Sequence, residues 1–227
     1  MSCTKKPVAG LLPFYLKLYD DHQPERRNGF TEFLQRITQA LEARGIEVLP
    51  APVCRVADEF GPAIQAFERQ GADCIITLHL AYSPSLEALD AFCETRLPII
   101  ILDTTMDADF GLSVSPSRIM YNHGVHGVMD FASMLRRRKR AFEIVAGHDS
   151  DPCLIDRTVE LARAAVAAGS LRGTRALRVG HTFKGMGDFS VAEEVLAEIL
   201  GVDVTQIGLD ELDAAVLQVS PDAVARE

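Results

Sequence analysis

The chain has 227 residues, of which 48% are hydrophobic, so it is long enough for one large or two small domains with a substantial core. Its formal net charge of −9 argues against a nucleic-acid or anionic membrane partner, because either would repel it. No stretch approaches the ~20 apolar residues needed to span a bilayer, and the first residues lack a signal-peptide pattern. The five cysteines are scattered without a Cys-x-x-Cys pair, which is typical of a reducing compartment. We therefore expect a cytoplasmic protein.

Short apolar runs alternate with segments of helical periodicity along most of the chain. The pattern predicts strands at 8–12, 46–49, 73–80, 98–102 and 141–146, and helices at 28–44, 57–70, 83–93, 124–138 and 151–168. Pro13 is expected to end the first strand. The run 73–80 is continuously apolar, as in strands that are buried on both faces of a parallel sheet. Repeated strand–helix units of this length predict an α/β fold with a flavodoxin-like, doubly wound parallel sheet over residues 7–171.

The pattern restarts after a candidate linker at residues 170–174. It predicts two further strands and two further helices, at 176–180, 191–200, 202–207 and 209–219. Two strands and two helices are too few to close a second sheet independently. Residues 174–227 are therefore expected to be the beginning of a second α/β domain that is truncated.

Polar side chains are concentrated where the predicted strands end, which is the edge at which open parallel sheets bind ligands. The densest group is Asn122, His123 and His126, and His79 lies near the end of the third strand. Imidazole, amide and hydroxyl groups can replace water around a polyol. Alternatively, His79 is a hydrogen-bonded core histidine. His123 and His126 are three residues apart and could share a metal, but the sequence offers no firm third ligand.

A second polar segment follows the strand predicted at 176–180. Its two glycines, Gly185 and Gly187, resemble a phosphate-binding turn, but the segment lacks the endings of nucleotide-binding loops. Met186 could form an apolar wall, and Asp188 could cap a helix or bind a hydroxyl. No Gly-x-Ser-x-Gly motif for nucleophilic catalysis is present.

Several of these motifs, taken in order, resemble the amino-terminal half of the L-fucose isomerase and L-arabinose isomerase family of sugar isomerases. The segments that carry the resemblance are LLPFYLKLYD (11–20), IITLHLAYSP (75–84), ILDTT (101–105), YNHGVHGVMDFASMLRR (121–137), FEIVAGH (142–148) and RVGHTFKGMGDF (178–189). The last five of these motifs in series make a chance match improbable, and the segment 11–20 is similar too.

The resemblance implies an aldose–ketose isomerase, an intramolecular oxidoreductase that moves a hydrogen between C1 and C2 of a sugar. Such enzymes use a divalent metal, usually Mn²⁺, whose two carboxylate ligands and one histidine ligand are expected beyond residue 227, as are the catalytic residues. No metal is expected on this segment, which should therefore be inactive alone. The resemblance also implies homo-oligomers whose active sites are shared between subunits.

The family's substrate contacts correspond here to Leu18, Tyr19, His126 and Met186. Lys17 stands where the arabinose enzymes have glutamine, which leaves the sugar preference open. The full set of residues predicted to bind the sugar is Lys17, Leu18, Tyr19, His79, Asn122, His123, His126, Met186 and Asp188.

Two other functions remain open from the sequence. One is a non-catalytic sugar-binding or sensing module, because such proteins use the same strand–helix repeats. The other is metal-dependent hydrolysis at His123 and His126.

Overall fold

The computed structural model describes residues 5–187 and 191–226, and these form two compact units that divide after Val166. The first unit is built on a five-stranded parallel sheet in the order β2-β1-β3-β4-β5. Its strands are β1 (Val8–Phe14), β2 (Glu47–Pro50), β3 (Cys74–His79), β4 (Ile99–Asp103) and β5 (Glu143–Ala146). This strand order confirms the predicted flavodoxin-like α/β fold.

Helices cover both faces of this sheet. They are α1 (Lys17–His22), α2 (Thr31–Glu42), α3 (Ala57–Arg69), α4 (Ser85–Glu94), α5 (Gly124–Arg137) and α6 (Pro152–Leu171). One apolar core joins the sheet to α2 and α6, and a second joins the other face to α3, α4 and α5. The central strand β3 is buried along its whole length, as its apolar run predicts.

The first strand is longer than the sequence predicts. It continues through Pro13 to Phe14, so the prediction that Pro13 ends it is wrong. Pro13 pairs in register with Leu78 of β3, and its carbonyl accepts a hydrogen bond from the amide of Cys54 at 2.9 Å. Proline lacks only the backbone amide donor, so its carbonyl can still accept a hydrogen bond from the segment that follows β2.

In the first unit, three short helical segments are absent from the prediction. They are α1 and the two 3-10 helices Pro24–Phe30 and Pro116–Tyr121. None contains more than one buried residue, so none carries the apolar periodicity by which helices are recognised in sequence. The predicted helix at 28–44 accordingly begins later, at Thr31.

The second unit contains a two-stranded parallel sheet. Its elements are β6 (Thr174–Val179), α7 (Glu193–Leu200), β7 (Val202–Ile207), α8 (Leu209–Leu217) and α9 (Pro221–Val224). The division of the chain at residues 171–174 into one domain and the start of another stays a prediction. Within the described ranges, no helix is long and apolar enough to cross a membrane.

The start of α5 packs directly on the end of β3, and glycine makes this possible. A Cβ atom at Gly124 would lie 2.1 Å from the carbonyl oxygen of His79. A Cβ atom at Gly127 would lie 2.6 Å from the hydroxyl of Ser83. Both distances are well inside van der Waals contact, so the helix can reach this depth only without side chains at the two positions.

We expect Gly124→Ala to destabilise the chain by about 1–3 kcal/mol, because α5 must move away from a backbone atom that cannot yield. Urea unfolding measures the change. Gly169→Ala is the matched control, because Gly169 lies in α6, is exposed and has nothing within 4 Å of its Cβ position. The control should gain about 0.5–1 kcal/mol from helix propensity. Equal effects of the two substitutions would contradict the close packing.

Candidate functional site

Two segments meet at the carboxyl edge of the sheet in the first unit. One is the segment after β1, which contains α1 and the first 3-10 helix, and the other leads into α5. Tyr19 reaches His123, and the rings of Phe30 and Tyr121 lie 5.1 Å apart. In a sheet of this strand order, the connections that follow the neighbouring strands β1 and β3 run to opposite sides. Ligands bind in the crevice at the carboxyl ends of these two strands. The meeting of the two segments therefore defines the candidate site.

Tyr19 and His123 form the central contact of the site. The Tyr19 hydroxyl and Nε2 of His123 are hydrogen-bonded at 3.1 Å, and both side chains are partly buried. His123 directly precedes α5. Burial is the main cause that lowers the pKa of His123, and the Ile119 carbonyl opposes it. The imidazole is therefore neutral at physiological pH, and the pair can exchange hydrogen bonds with a polar ligand.

His126 lies one turn into α5 and is exposed. Its Nδ1 lies 3.3 Å from the carbonyl oxygen of His123, and the two imidazole centroids are 6.4 Å apart. The exposed ring is thus available to a molecule that approaches this edge. It shares the rim with the Tyr19–His123 pair, as the sequence predicts for His123 and His126.

Lys17 and Leu18 begin α1, beside Tyr19. The ammonium of Lys17 binds the carboxylate of Asp21 at 2.7 Å on the surface. Leu18 is 55% exposed and, with Tyr19, lines a cavity of about 370 Å³. The other residues that line this cavity are His22, Gln23, Arg26, Ser117 and Met120. None of the seven is acidic.

The side chain of Asn122 is hydrogen-bonded to the loop that precedes it. Its amide nitrogen donates to the Asp107 carboxylate at 2.6 Å and to the Arg118 carbonyl at 2.9 Å. Its amide oxygen accepts from the Asp107 backbone amide at 2.9 Å. The Arg118 guanidinium, paired in a bidentate manner with Asp107, is the main cause that lowers the pKa of that carboxyl. Asn122 therefore has only one unused acceptor lone pair to offer a ligand.

His79 lies in the interior rather than at the rim. It is 2% exposed, stacks on Phe14 with centroids 4.4 Å apart, and its Nδ1 is hydrogen-bonded to the Ser83 hydroxyl at 2.8 Å. Burial lowers the pKa of His79 to about 3. The structure therefore does not bring His79 together with Tyr19 and His126.

Met186 belongs to the second unit and is 47% exposed. Asp188 lies outside the described residues. Their predicted contact with the sugar stays a prediction.

The structure adds three buried polar atoms that the sequence prediction of the site did not include. They are the Tyr15 hydroxyl, Oδ1 of Asp20 and Nη1 of Arg26, none of which has a hydrogen-bond partner. Burial, with a smaller contribution from Asp20, raises the pKa of Tyr15 to about 12. Tyr15 could be suspected because it follows β1 directly. Asp20 and Arg26 lie in the segment without apolar periodicity, where sequence offers no such indication.

The described residues do not fit a catalytic metal ion. No group of three or more His, Cys, Asp and Glu side chains among them is arranged to hold one. Tyr19 also occupies Nε2 of His123, which a metal shared with His126 would compete for.

Comparison with known proteins relates this chain to sugar isomerases. No protein-family model matches it. The L-arabinose isomerase of Acidothermus cellulolyticus is 28% identical over 196 residues, and that of a Nocardioides species is 28% identical over 203 residues. These matches cover 84% and 87% of this chain, but only 38% and 40% of the two isomerases. The L-arabinose isomerase of Geobacillus thermodenitrificans is 24% identical over 152 residues.

The chain is thus similar to part of L-arabinose isomerase and spans about two fifths of the length of these relatives. This similarity supports the sugar-isomerase resemblance, while a specific relation to L-fucose isomerase stays a prediction. Among solved structures, the Escherichia coli transcriptional repressor ascG overlaps with a TM-score of 0.31 at 18% identity, covering 89% of this chain and 78% of that one. A score this low supports no inference.

The protonation of His79 should be visible in the pH dependence of stability. Its pKa is lower in the folded than in the unfolded chain, so the unfolded chain binds more protons between about pH 3 and pH 6.5. The free energy of unfolding should therefore fall as pH drops below 6.5, by up to about 1.4 kcal/mol per pH unit from His79. His123 contributes in the same direction.

Urea unfolding at pH 7 and pH 5.5 measures this slope, which His79→Gln should reduce. An NMR titration of the His79 ring should show no protonation above pH 5. A titration midpoint near pH 6.5 for the His79 ring would contradict its burial away from water.

Proposed function

We propose that this chain is the amino-terminal part of an aldose–ketose isomerase of the L-arabinose or L-fucose type. It supplies sugar-binding groups, and the metal centre lies on a part of the protein beyond residue 227. The observation that supports this most strongly is the similarity of this chain to about two fifths of the length of L-arabinose isomerases.

In this proposal the rim of the first unit holds and orients the sugar. Tyr19 and His126 contact the substrate hydroxyls, and His123 holds the Tyr19 phenol in place through the 3.1 Å hydrogen bond. Leu18 forms an apolar wall of the adjoining cavity. Lys17, Met186 and Asp188 are the other residues that the sequence resemblance proposes as sugar contacts. Hydroxyl recognition of this kind orients C1 and C2 for proton or hydride transfer.

The Mn²⁺ ion would polarise the sugar oxygens when bound. The described residues of this chain do not gather the two carboxylates and the histidine that such an ion needs. No step of the reaction is therefore assigned to a metal on this segment.

We also propose that the site is completed by a neighbouring subunit of a homo-oligomer. Exposed large apolar side chains occur on α5, which carries His126, and at the start of α4, and these are Val125 and Met129 of α5, Leu86 of α4, and Tyr82 just before α4. The two helices are joined by a hydrogen bond from the Ser85 amide to Asp130 at 3.3 Å. An apolar surface beside an exposed imidazole is suited to a subunit contact that excludes water from a shared site.

Substitution of a rim residue, His126, tests the proposed isomerase function. In the protein completed with its metal-bearing part, His126→Asn should lower kcat/KM for an aldopentose roughly 100-fold, because one oriented hydrogen-bonding group is lost at the reacting centre. Its urea midpoint should stay close to the original value, because the ring is exposed. Ser133→Ala, exposed on the same helix, is the control and should leave both quantities unchanged.

Other outcomes would favour other functions. Parallel losses of activity and stability would make His126 structural. Calorimetry with a panel of neutral pentoses and 6-deoxyhexoses, with and without Mn²⁺, tests the alternative of a sugar-binding or sensing module. Saturable metal-independent binding of a neutral sugar by the 227-residue chain, without isomerisation by the completed protein, would support that alternative.

The second unit is proposed to be the start of a larger α/β domain. Its two-stranded sheet leaves large apolar side chains exposed on strands and helices alike, including Leu177, Ile199, Leu209, Val216 and Leu217. The relatives are about two and a half times as long as the matched region, so they contain enough polypeptide to cover this surface.

Hydrogen exchange tests this second proposal. Amides of β6 and β7 should exchange at least ~100-fold faster than those of β3, because an uncovered two-stranded sheet is only marginally stable. The downstream polypeptide should slow their exchange. Protection of β6 and β7 equal to that of β3 in the 227-residue chain would contradict an incomplete domain.

A further inference from the structure

A closed series of ring contacts joins the two segments of the candidate site. The ring centroid of Tyr15 lies 5.9 Å from that of Tyr19 and 5.7 Å from that of Phe30. Phe30 in turn lies 5.1 Å from Tyr121, and Tyr19 is hydrogen-bonded to His123. Because Tyr121 and His123 are two residues apart in the chain, the series closes on itself. The two segments therefore meet both at Tyr19–His123 and at Phe30–Tyr121.

The second of these contacts is close-packed. A Cβ atom at Gly29 would lie 2.9 Å from Cε1 of Tyr121 and 3.2 Å from its hydroxyl oxygen. Gly29 precedes Phe30 in the first 3-10 helix. The Tyr121 ring thus packs on the backbone of this helix as well as on the ring of Phe30. The position of the Tyr121 ring therefore sets how closely the two segments approach each other.

Arg118 connects the Tyr121 ring to the loop after β4. Its guanidinium carbon lies 4.9 Å from the centroid of Tyr121, which is a cation–π contact. The same guanidinium donates to both carboxylate oxygens of Asp107, at 2.7 Å each. Bidentate pairing fixes the plane of a guanidinium group as well as its place. Asp107 thereby holds Arg118 in a defined orientation against Tyr121.

This ion pair is suited to orientation more than to folding stability. The side chain of Arg118 is 34% exposed and that of Asp107 is 28% exposed. Ion pairs that water reaches contribute little to the free energy of unfolding. Removal of the guanidinium should therefore change the position of Tyr121 without unfolding the chain.

We propose that Arg118 is a positioning residue of the sugar site. Held by Asp107, it orients Tyr121, and the packing of Tyr121 on the first 3-10 helix keeps the Tyr19 phenol within hydrogen-bonding reach of His123. This inference rests on the proposed sugar site and adds a residue that acts on the sugar only through Tyr19. Arg118 takes no part in the chemical step.

NMR of the 227-residue chain tests the positioning directly. The ¹⁵N signals of the His123 ring report whether Nε2 has a hydrogen-bond partner, and Tyr19→Phe gives the reference for its loss. Arg118→Gln should move the Nε2 signal in the same direction as Tyr19→Phe, while the urea midpoint stays close to the original value. Arg118→Lys should move the signal less, because lysine keeps the charge but loses the bidentate pairing.

Arg44→Gln is the matched control. Arg44 is 31% exposed and also pairs with a carboxylate, that of Asp156, but neither residue belongs to the rim. This substitution should leave the His123 signals unchanged.

A double-substitution cycle in the protein completed with its metal-bearing part tests the consequence for activity. Arg118→Gln should lower kcat/KM for an aldopentose about tenfold, because the Tyr19 phenol is misplaced. In the Tyr19→Phe background the same substitution should have almost no further effect, because both act through one hydrogen bond. A merely structural role would lower kcat/KM by the same factor in both backgrounds.

The possible failures are distinguishable. An unchanged His123 signal in Arg118→Gln, or an equal change in Arg44→Gln, would overturn the positioning role. So would equal effects of Arg118→Gln in the two backgrounds. These results leave the isomerase proposal intact, because it depends on the activity of the completed protein and its response to His126→Asn. If that activity is absent, the isomerase proposal fails, and the His123 signals still decide whether Arg118 positions the pair.

Discussion

The contact between the first turn of α5 and the end of β3 determines the geometry of the candidate site. Gly124 lies against the carbonyl of His79, and Gly127 lies against Ser83, at distances that exclude a side chain at either position. Because the helix starts this close to the strand, His123 is held where it meets Tyr19. Any displacement of α5 would separate the two segments whose meeting forms the rim.

The polar groups of this rim differ in charge because they differ in burial. Desolvation keeps the His123 imidazole of the rim neutral, and in the interior it keeps the His79 imidazole neutral and the Tyr15 phenol protonated. Charges persist where carboxylates and arginines are paired, as in the bidentate contact of Asp107 with Arg118. The Tyr19–His123 pair at the rim is therefore available for hydrogen bonds with a polyol.

The two units differ in how completely their apolar surfaces are covered. The first has a complete five-stranded sheet with covered faces and a polar edge. The second has a two-stranded sheet and many exposed apolar side chains. The L-arabinose isomerases that match this chain are more than twice its length, and we propose that a metal donor set of the expected type lies in such further polypeptide. Binding groups on one segment and metal ligands on another would make catalysis depend on their association.

The sequence by itself determined the α/β fold and most of its helices and strands. Apolar periodicity is a local property, so runs such as residues 73–80 identify buried strands without knowledge of their neighbours. The two glycines and two histidines of residues 123–127 likewise mark the edge of the sheet at which polar groups collect. The segment between β1 and α2 has no such periodicity, and its helices were missed for that reason.

Only the tertiary structure decided which of the polar residues meet. It placed His79 in the dry core, bound Asn122 to Asp107, and brought Tyr19 to His123 across 104 positions of sequence. It also paired Arg27 with Asp20 while Arg26, the residue before it, lies over the ring of Tyr121. Burial and pairing depend on residues that are distant in the chain, so no local pattern encodes them.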